Sequence, residues 1–398
     1  MPPETRDELR GDLSAVQQEV LAGVVGSKSR RDARIWNEKW KTLCCSLGLD
    51  VYLSQLSDPV PVLQVFLRRV RDGRLALQGN KIYARSAEEY LRAVGQTFTR
   101  LGRPDPRLNS VGQIDFRIQR QLKFYKKEDP PPSRLQPMPI EFLHRASAYL
   151  RRLDTPQSIA IVNLIWIAFF FLMRPGEFCD AGRDSHPFKL EDVTFYAGNT
   201  KLDNFRSSEA SLRSATFVSL TFTTQKSGVR GEKVGHGRSG TSLACAVSAL
   251  ADQIIRLRSQ GATAKTPLCS YKPTPMSPFL TLRSNHFTDV LRVQAHLHGG
   301  SYNITPSQVS VGAFRTTGAM ALFNAGVDST RIRLLGRWNS WAMLRYLHVQ
   351  SNTQMASFAR RMLSGGSFTS LACDTPPERE PEDPEAPPVI VPDADPYT

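Results

Sequence analysis

No run in the 398 residues stays apolar over the roughly 20 positions a helix needs to cross a bilayer. The most apolar stretch, Ile159 to Met173, contains Asn163 and predicts a buried helix, with no membrane among the partners. Paired cysteines are missing as well. The six present (Cys44, Cys45, Cys179, Cys245, Cys269 and Cys373) show no two-residue gap of zinc-knuckle or redox type, which predicts reduced, buried thiols in an intracellular protein. Histidine is scarce, and only His296 and His298 stand close together, without a third ligand near them, so neither a metal nor another cofactor is expected. The polar, charged opening from Met1 to Gly11 does not read as a secretory signal. No internal repeat is found.

What is present is core-forming residues and positive charge. Apolar residues make up 40% of the chain, enough for two domains with real cores. Lys and Arg number 51 against 37 Asp and Glu, a net charge of +14. Residues 374–398 hold eight acids and one base, a charge of −7 that leaves +21 on the rest. A body so basic points to a polyanion, and nucleic acid is the leading class.

Apolar spacing predicts helices at Leu9–Val24, Ala33–Leu47, Val60–Arg71, Ser86–Leu101 and Ser110–Lys126. The basic knot Lys28-Ser-Arg30-Arg31 falls between the first two. With Arg68, Arg69, Arg71, Lys123, Lys126 and Lys127 it is a candidate phosphate-binding face, each residue equally readable as a solvated surface charge. Five prolines between Pro130 and Pro139 predict an extended connector. Further helices are expected at Ile140–Leu153, Pro156–Met173, Ala244–Ser259 and Arg283–His298. Leu190–Ala197 and Ala215–Thr224 read as strands, and Gln225-Lys226-Ser227-Gly228 follows as a hairpin tip. The fold class is therefore mainly α with a small β-sheet or hairpin, α+β. Four segments follow: a helical domain over 1–128, a linker over 129–139, a second domain over 140–365, and an acidic, Pro-rich, disordered tail over 366–398.

Val311 to Gln350 reads as three short helices. Pro306 and Ser307 can open the first, Gly326 suits a left-handed cap, Ser329 can cap the second, and Gly336 closes it before Asn339 or Ser340 caps the third. Arg315 stands in an otherwise small and apolar helix. Tyr346 follows Ala342 and Met343 by one turn, and by itself reads equally as a core tyrosine. A final helix is expected at Asn352–Leu363.

The ordered set Arg174-x-x-Glu177, Lys226, Arg315, Arg337-Trp338 and Tyr346 resembles the tyrosine recombinase (phage integrase) family. Within it, LLGRWNSWAMLRYLH and RTTGAMALFNAGVD are similar to the eukaryotic mobile-element branch known as cryptons. VFLRRVRDGR, SAEEYLRAVGQTF and QLKFYKKEDPPP are similar to that branch's helical core-binding domain, so the resemblance spans roughly residues 60–350. It implies a core-binding domain and a catalytic domain closing as a C-shaped clamp on double-stranded DNA, a homotetramer on two duplexes, and a nuclear location.

By the same resemblance Tyr346 attacks a DNA phosphodiester to leave a 3′-phosphotyrosyl bond, Arg174 and Arg315 clamp the phosphate, and Lys226 is the general acid. Glu177 supports Arg174. A His or Trp near Trp338 contacts the phosphate in the family, and counting back from Tyr346 reaches Arg337 at nine residues and Trp338 at eight. Where the family places His or Lys, three residues before Arg315, this chain has Gly312, and His236, His286, His296 or His298 are the candidates to replace it in space. The alternative to an active enzyme is a domesticated DNA-binding protein of the same fold that no longer cuts.

Overall fold

Val60, Leu63, Phe66, Leu67 and Val70 recur at helical spacing, and in the computed structural model they form the buried stripe of one helix in an all-helical N-terminal body. The structure describes residues 3–22, 26–130, 136–182, 185–223, 231–241 and 243–338. The N-terminal helices are α1 (Pro3–Ala22), α2 (Gly26–Arg34), α3 (Lys41–Ser46), α4 (Val60–Arg71), α5 (Ala84–Arg100) and α6 (Phe116–Glu128), with a π-helical turn, Ile35–Trp40, joining α2 to α3. Trp36 and Trp40 on that turn meet Phe98 and Phe66 edge to face at 5.5 and 5.3 Å, a preferred aromatic geometry that knits α4 and α5 together. Ile118, Leu122 and Tyr125 close this core from α6.

Two expectations are corrected here. The Lys28 to Arg31 knot does not separate helices: it lies within α2, and helical backbone continues from Gly26 to Ser46. Lys and Arg are good helix formers, and apolar periodicity alone cannot see a helix built from them. The sixth helix starts at Phe116, not Ser110, because Gly112 takes φ +77° and the Asp115 carboxylate caps the Arg117 N–H at 2.9 Å.

Beyond residue 135 a second, separate core is built around α8 (Pro156–Phe170), preceded by α7 (Ile140–Leu153). Eleven of the fifteen residues of α8 are buried, Asn163 among them, which explains its largely apolar run. Thr155 and Ser158 form a reciprocal capping box at its start. The chain continues through α9 (Pro175–Phe178), β1 (Val193–Ala197), β2 (Thr200–Leu202), α10 (Glu209–Ser214), β3 (Phe217–Phe222) and β4 (Glu232–Gly237). These strands form an antiparallel sheet in the order β2-β1-β3-β4. Val218, Leu220 and Phe222 alternate into the core. Only β1 and β3 were expected as strands. β2 is three residues long, and β4, EKVGHG, holds one apolar residue and two glycines.

Next come α11 (Ala246–Ser259), the short pair β5 (Ser270–Tyr271) and β6 (Leu280–Thr281), α12 (Ser284–His298), α13 (Ala313–Asn324) and α14 (Ser329–Leu335). Helices α7, α11 and α13 all pack on α8. Pro306 and Ser307 do not open α13: Thr305 to Ser310 form turns, and the helix begins after Gly312. Asp328, not Ser329, caps α14, its carboxylate accepting from the Arg331 N–H at 2.9 Å. Gly326 takes the left-handed conformation expected of it, φ +82°. The third helix with Tyr346, the Asn352–Leu363 helix and the acidic tail lie outside the described residues. No helix among the described residues is long and apolar enough to cross a membrane.

Candidate functional site

Helix α8 ends in a tight turn. Leu172 adopts φ +48°, costing of order 1 kcal/mol for a residue with a Cβ, and Pro175 then starts α9. The carbonyls of this turn gather arginines. Arg315, in the first turn of α13, donates from Nη1 to Leu172 O at 2.8 Å and from Nη2 to Gly336 O. Arg337 donates to Phe171 O at 3.0 Å, to Leu172 O at 3.3 Å and to Leu335 O at 3.2 Å. The Trp338 ring covers the Arg315 guanidinium at 4.1 Å, and the Arg337 guanidinium lies 3.6 Å from the Phe222 ring of β3.

Glu177 on α9 joins this cluster to Arg174. Its Oε1 accepts from Arg174 Nη1 at 2.9 Å, and its Oε2 accepts from the Arg174 backbone N–H at 2.8 Å and from Arg337 Nη2 at 3.1 Å. The three-residue spacing thus places carboxylate against guanidinium as expected. The Arg174 side chain is 28% exposed, Glu177 10% and Arg337 1%. Burial pulls the Arg337 guanidinium down to about 10, opposed by Glu177, so it stays protonated at neutral pH. Glu177 holds two guanidiniums, those of Arg174 and Arg337, and Arg315 shares the Leu172 carbonyl with Arg337, so cations outnumber carboxylates at this turn, a setting suited to a phosphate.

Two glycines make the geometry possible. A Cβ on Gly318, one turn after Arg315, would meet Phe169 O at 2.4 Å, so only glycine lets α13 approach α8 closely enough for Arg315 to reach Leu172 O. A Cβ on Gly336 would fall 1.5 Å from the Trp338 ring. The left-handed residue after α14 is Arg337, at φ +56°, while Gly336 stays at φ −79°.

Arg174, Glu177, Arg315, Arg337 and Trp338 are therefore brought together from three regions of the chain. Gly312 sits at the N-terminus of α13 and supplies no side chain there. Lys226 and Tyr346 lie outside the described residues; β3 and β4, antiparallel neighbours, flank the segment holding Lys226. His236 on β4 packs edge-on to Phe171 at 4.8 Å, beside the arginine turn, while His286, His296 and His298 are on α12. Among the described residues His236 Nε2 has no hydrogen-bond partner, and burial holds the imidazole below its ordinary range. No group of three His, Cys, Asp or Glu side chains suited to a metal occurs among the described residues.

The basic face is narrower than the sequence suggests. Lys28, Arg30, Arg31, Lys123, Lys126 and Lys127 are exposed, and Lys126 lies 3.1 Å from Glu88. Arg71 is buried, with Nη1 at 2.6 Å from Asp129, and is not available to a partner. Leu172 and Gly318 had no signal in the sequence, since one acts through its backbone and the other through an absent side chain.

No family model and no curated protein matches the chain. Among solved structures it is similar to the crystal structure of XerA recombinase, at 11% identity and a TM-score of 0.33 over 86% of this chain and 95% of that one. It is also similar to the Tn1549 transposon integrase in complex with circular intermediate DNA, at 12% identity and a TM-score of 0.40 over 75% of this chain and 83% of that one. A complex of the same integrase with transposon right end DNA gives 12%, 0.41, 76% and 85% respectively.

Proposed function

We propose that the chain cleaves and rejoins DNA strands through a 3′-phosphotyrosyl intermediate, as a recombinase of the tyrosine type. The observation that carries this reading is the convergence of Arg174 and Arg315, 141 positions apart in sequence, with Glu177 and Trp338 at the end of α8. In this reading the Tyr346 hydroxyl gives its proton to solvent water and its oxygen attacks the phosphorus, the bond from phosphorus to the 5′ oxygen breaks, and Lys226 protonates that leaving oxygen. Arg174 neutralises the charge gathering on the non-bridging oxygens, joined by Arg315 once its guanidinium, 5% exposed and donating to Leu172 O and Gly336 O, turns from those carbonyls; loss of one such donor costs about 3 kcal/mol, roughly a hundredfold in rate. Residues 1–128 would form a core-binding domain and residues 140–365 the catalytic domain of a clamp on the duplex. Tetramer assembly, a mobile-element origin of crypton type and a nuclear location belong to the same reading and rest on the sequence resemblance.

A nicked suicide duplex incubated with the protein without added metal should trap a covalent complex that Tyr346→Phe abolishes, while DNA binding weakens by about 0.9 in log Kd per neutralised phosphate for each tenfold rise in salt. Gly312 favours a second reading, a DNA-binding protein of the same fold without turnover, because the place of a proton-transferring side chain is taken by hydrogen. Salt-dependent binding with no adduct in the wild type would select it.

A further inference from the structure

We infer that Arg337 is a positioning residue whose buried guanidinium holds the Glu177 carboxylate, and that Glu177 in turn orients Arg174 toward the scissile phosphate. The identity of that target rests on the recombinase reading; the linkage of the three side chains does not. Arg337 itself cannot meet a phosphate. Its side chain is 1% exposed, both its terminal nitrogens are committed to Phe171 O, Leu172 O, Leu335 O and Glu177, and the Phe222 ring closes one face at 3.6 Å. Arg174 is the exposed member of the pair that Glu177 bridges.

Two further features single out Arg337. It occupies a left-handed position at φ +56°, where glycine carries no penalty and a residue with a Cβ does, so a guanidinium stands there against backbone preference. It also shares the Leu172 carbonyl with Arg315, so one buried cation is tied to both candidate phosphate ligands, through a carboxylate to Arg174 and through a carbonyl to Arg315. Removing one partner of a buried ion pair is destabilising whether or not the pair positions anything, so the readout has to be Arg174 itself and not stability.

The test compares Arg337→Met, which keeps length without charge, with Arg337→Lys, both as the full chain. Arginine side-chain 15N NMR of the DNA-free protein, assigned through Arg174→Lys, should show hindered rotation of the Arg174 guanidinium in the wild type. That hindrance should be lost in Arg337→Met and kept at pH 7 in Arg337→Lys. A lysine at 337 would face Glu177, Arg174 and Glu232 in a site whose burial already lowers an arginine, and would titrate below the ordinary ~10.4. The Lys variant should therefore lose the Arg174 hindrance at a lower pH than the wild type, whose own Arg337 is pulled down to about 10. Covalent adduct formation should fall roughly 10- to 100-fold in Arg337→Met, as expected for a misplaced ligand. An unchanged Arg174 signal in a folded Met variant overturns the inference; should that variant not fold, an Arg174 signal with the same pH dependence in the Lys variant and the wild type overturns it. A wild type that binds DNA but forms no adduct overturns the recombinase reading alone, since the NMR comparison needs no turnover.

Discussion

Substituting Gly318 by alanine sets two effects against each other. Alanine in a helix interior gains about 1 kcal/mol over glycine. Against this, the new Cβ would stand 2.3 Å from Leu172 Cδ2 and 2.4 Å from Phe169 O. The leucine side chain can turn away, but Phe169 O belongs to the backbone of α8, and ordinary contact at about 3.5 Å requires the helices to separate by about 1 Å. Overpacking of this kind costs about 1–3 kcal/mol, with the upper part of the range expected against a rigid helix, for a net loss of roughly 1–2 kcal/mol. In a body of this size that lowers Tm by about 2–8 °C. The same separation draws Arg315 Nη1 away from Leu172 O, now 2.8 Å distant, so adduct formation on a nicked duplex should fall as well. Gly326→Ala is the control: it meets no atom within 4 Å and acts only through its φ of +82°, so it should cost of order 1 kcal/mol and leave the adduct unchanged. Thermal melting and adduct yield decide the matter. A Gly318→Ala protein that melts at or above the wild type would refute the close-approach argument.

Gly336→Ala should push the Trp338 ring off the Arg315 guanidinium, a contact worth about 0.5–2 kcal/mol, and slow adduct formation by roughly 2- to 30-fold; an unchanged rate would show that the ring does not hold Arg315 in place. His236 is buried with its pKa depressed, so below the ordinary ~6.5 the unfolded chain binds a proton that the folded chain refuses, and stability falls as pH drops through that value. Urea unfolding at pH 7.5 and 5.5 should show that His236→Phe loses less stability on acidification than the wild type; equal losses would remove His236 as the cause.

The order of most helices was legible because each buries one face and repeats its apolar residues accordingly, as in α4 and α5. Boundaries were less so: α2 is helical through a run of Lys and Arg with no apolar period, and β4 pairs with β3 although its own residues carry almost no strand signal. Of the site, Arg174 and Glu177 were readable as a pair because three residues bring them into reach along the chain, and Arg315 because a charge among small apolar residues demands an explanation.

The sequence by itself determined the excess of positive charge, the α+β class, and five of the residues that meet at the end of α8, namely Arg174, Glu177, Arg315, Arg337 and Trp338. Only the tertiary structure decided what each does there. Arg337 and Trp338 are neighbours in sequence and were interchangeable by counting, yet the left-handed backbone at 337 sends one side chain under Phe222 to Glu177 and leaves the other over Arg315. Spacing along a chain gives distance in residues, whereas burial, acceptor geometry and the missing Cβ atoms of Gly318 and Gly336 are set by segments more than a hundred residues away or by rings folded back on the same turn.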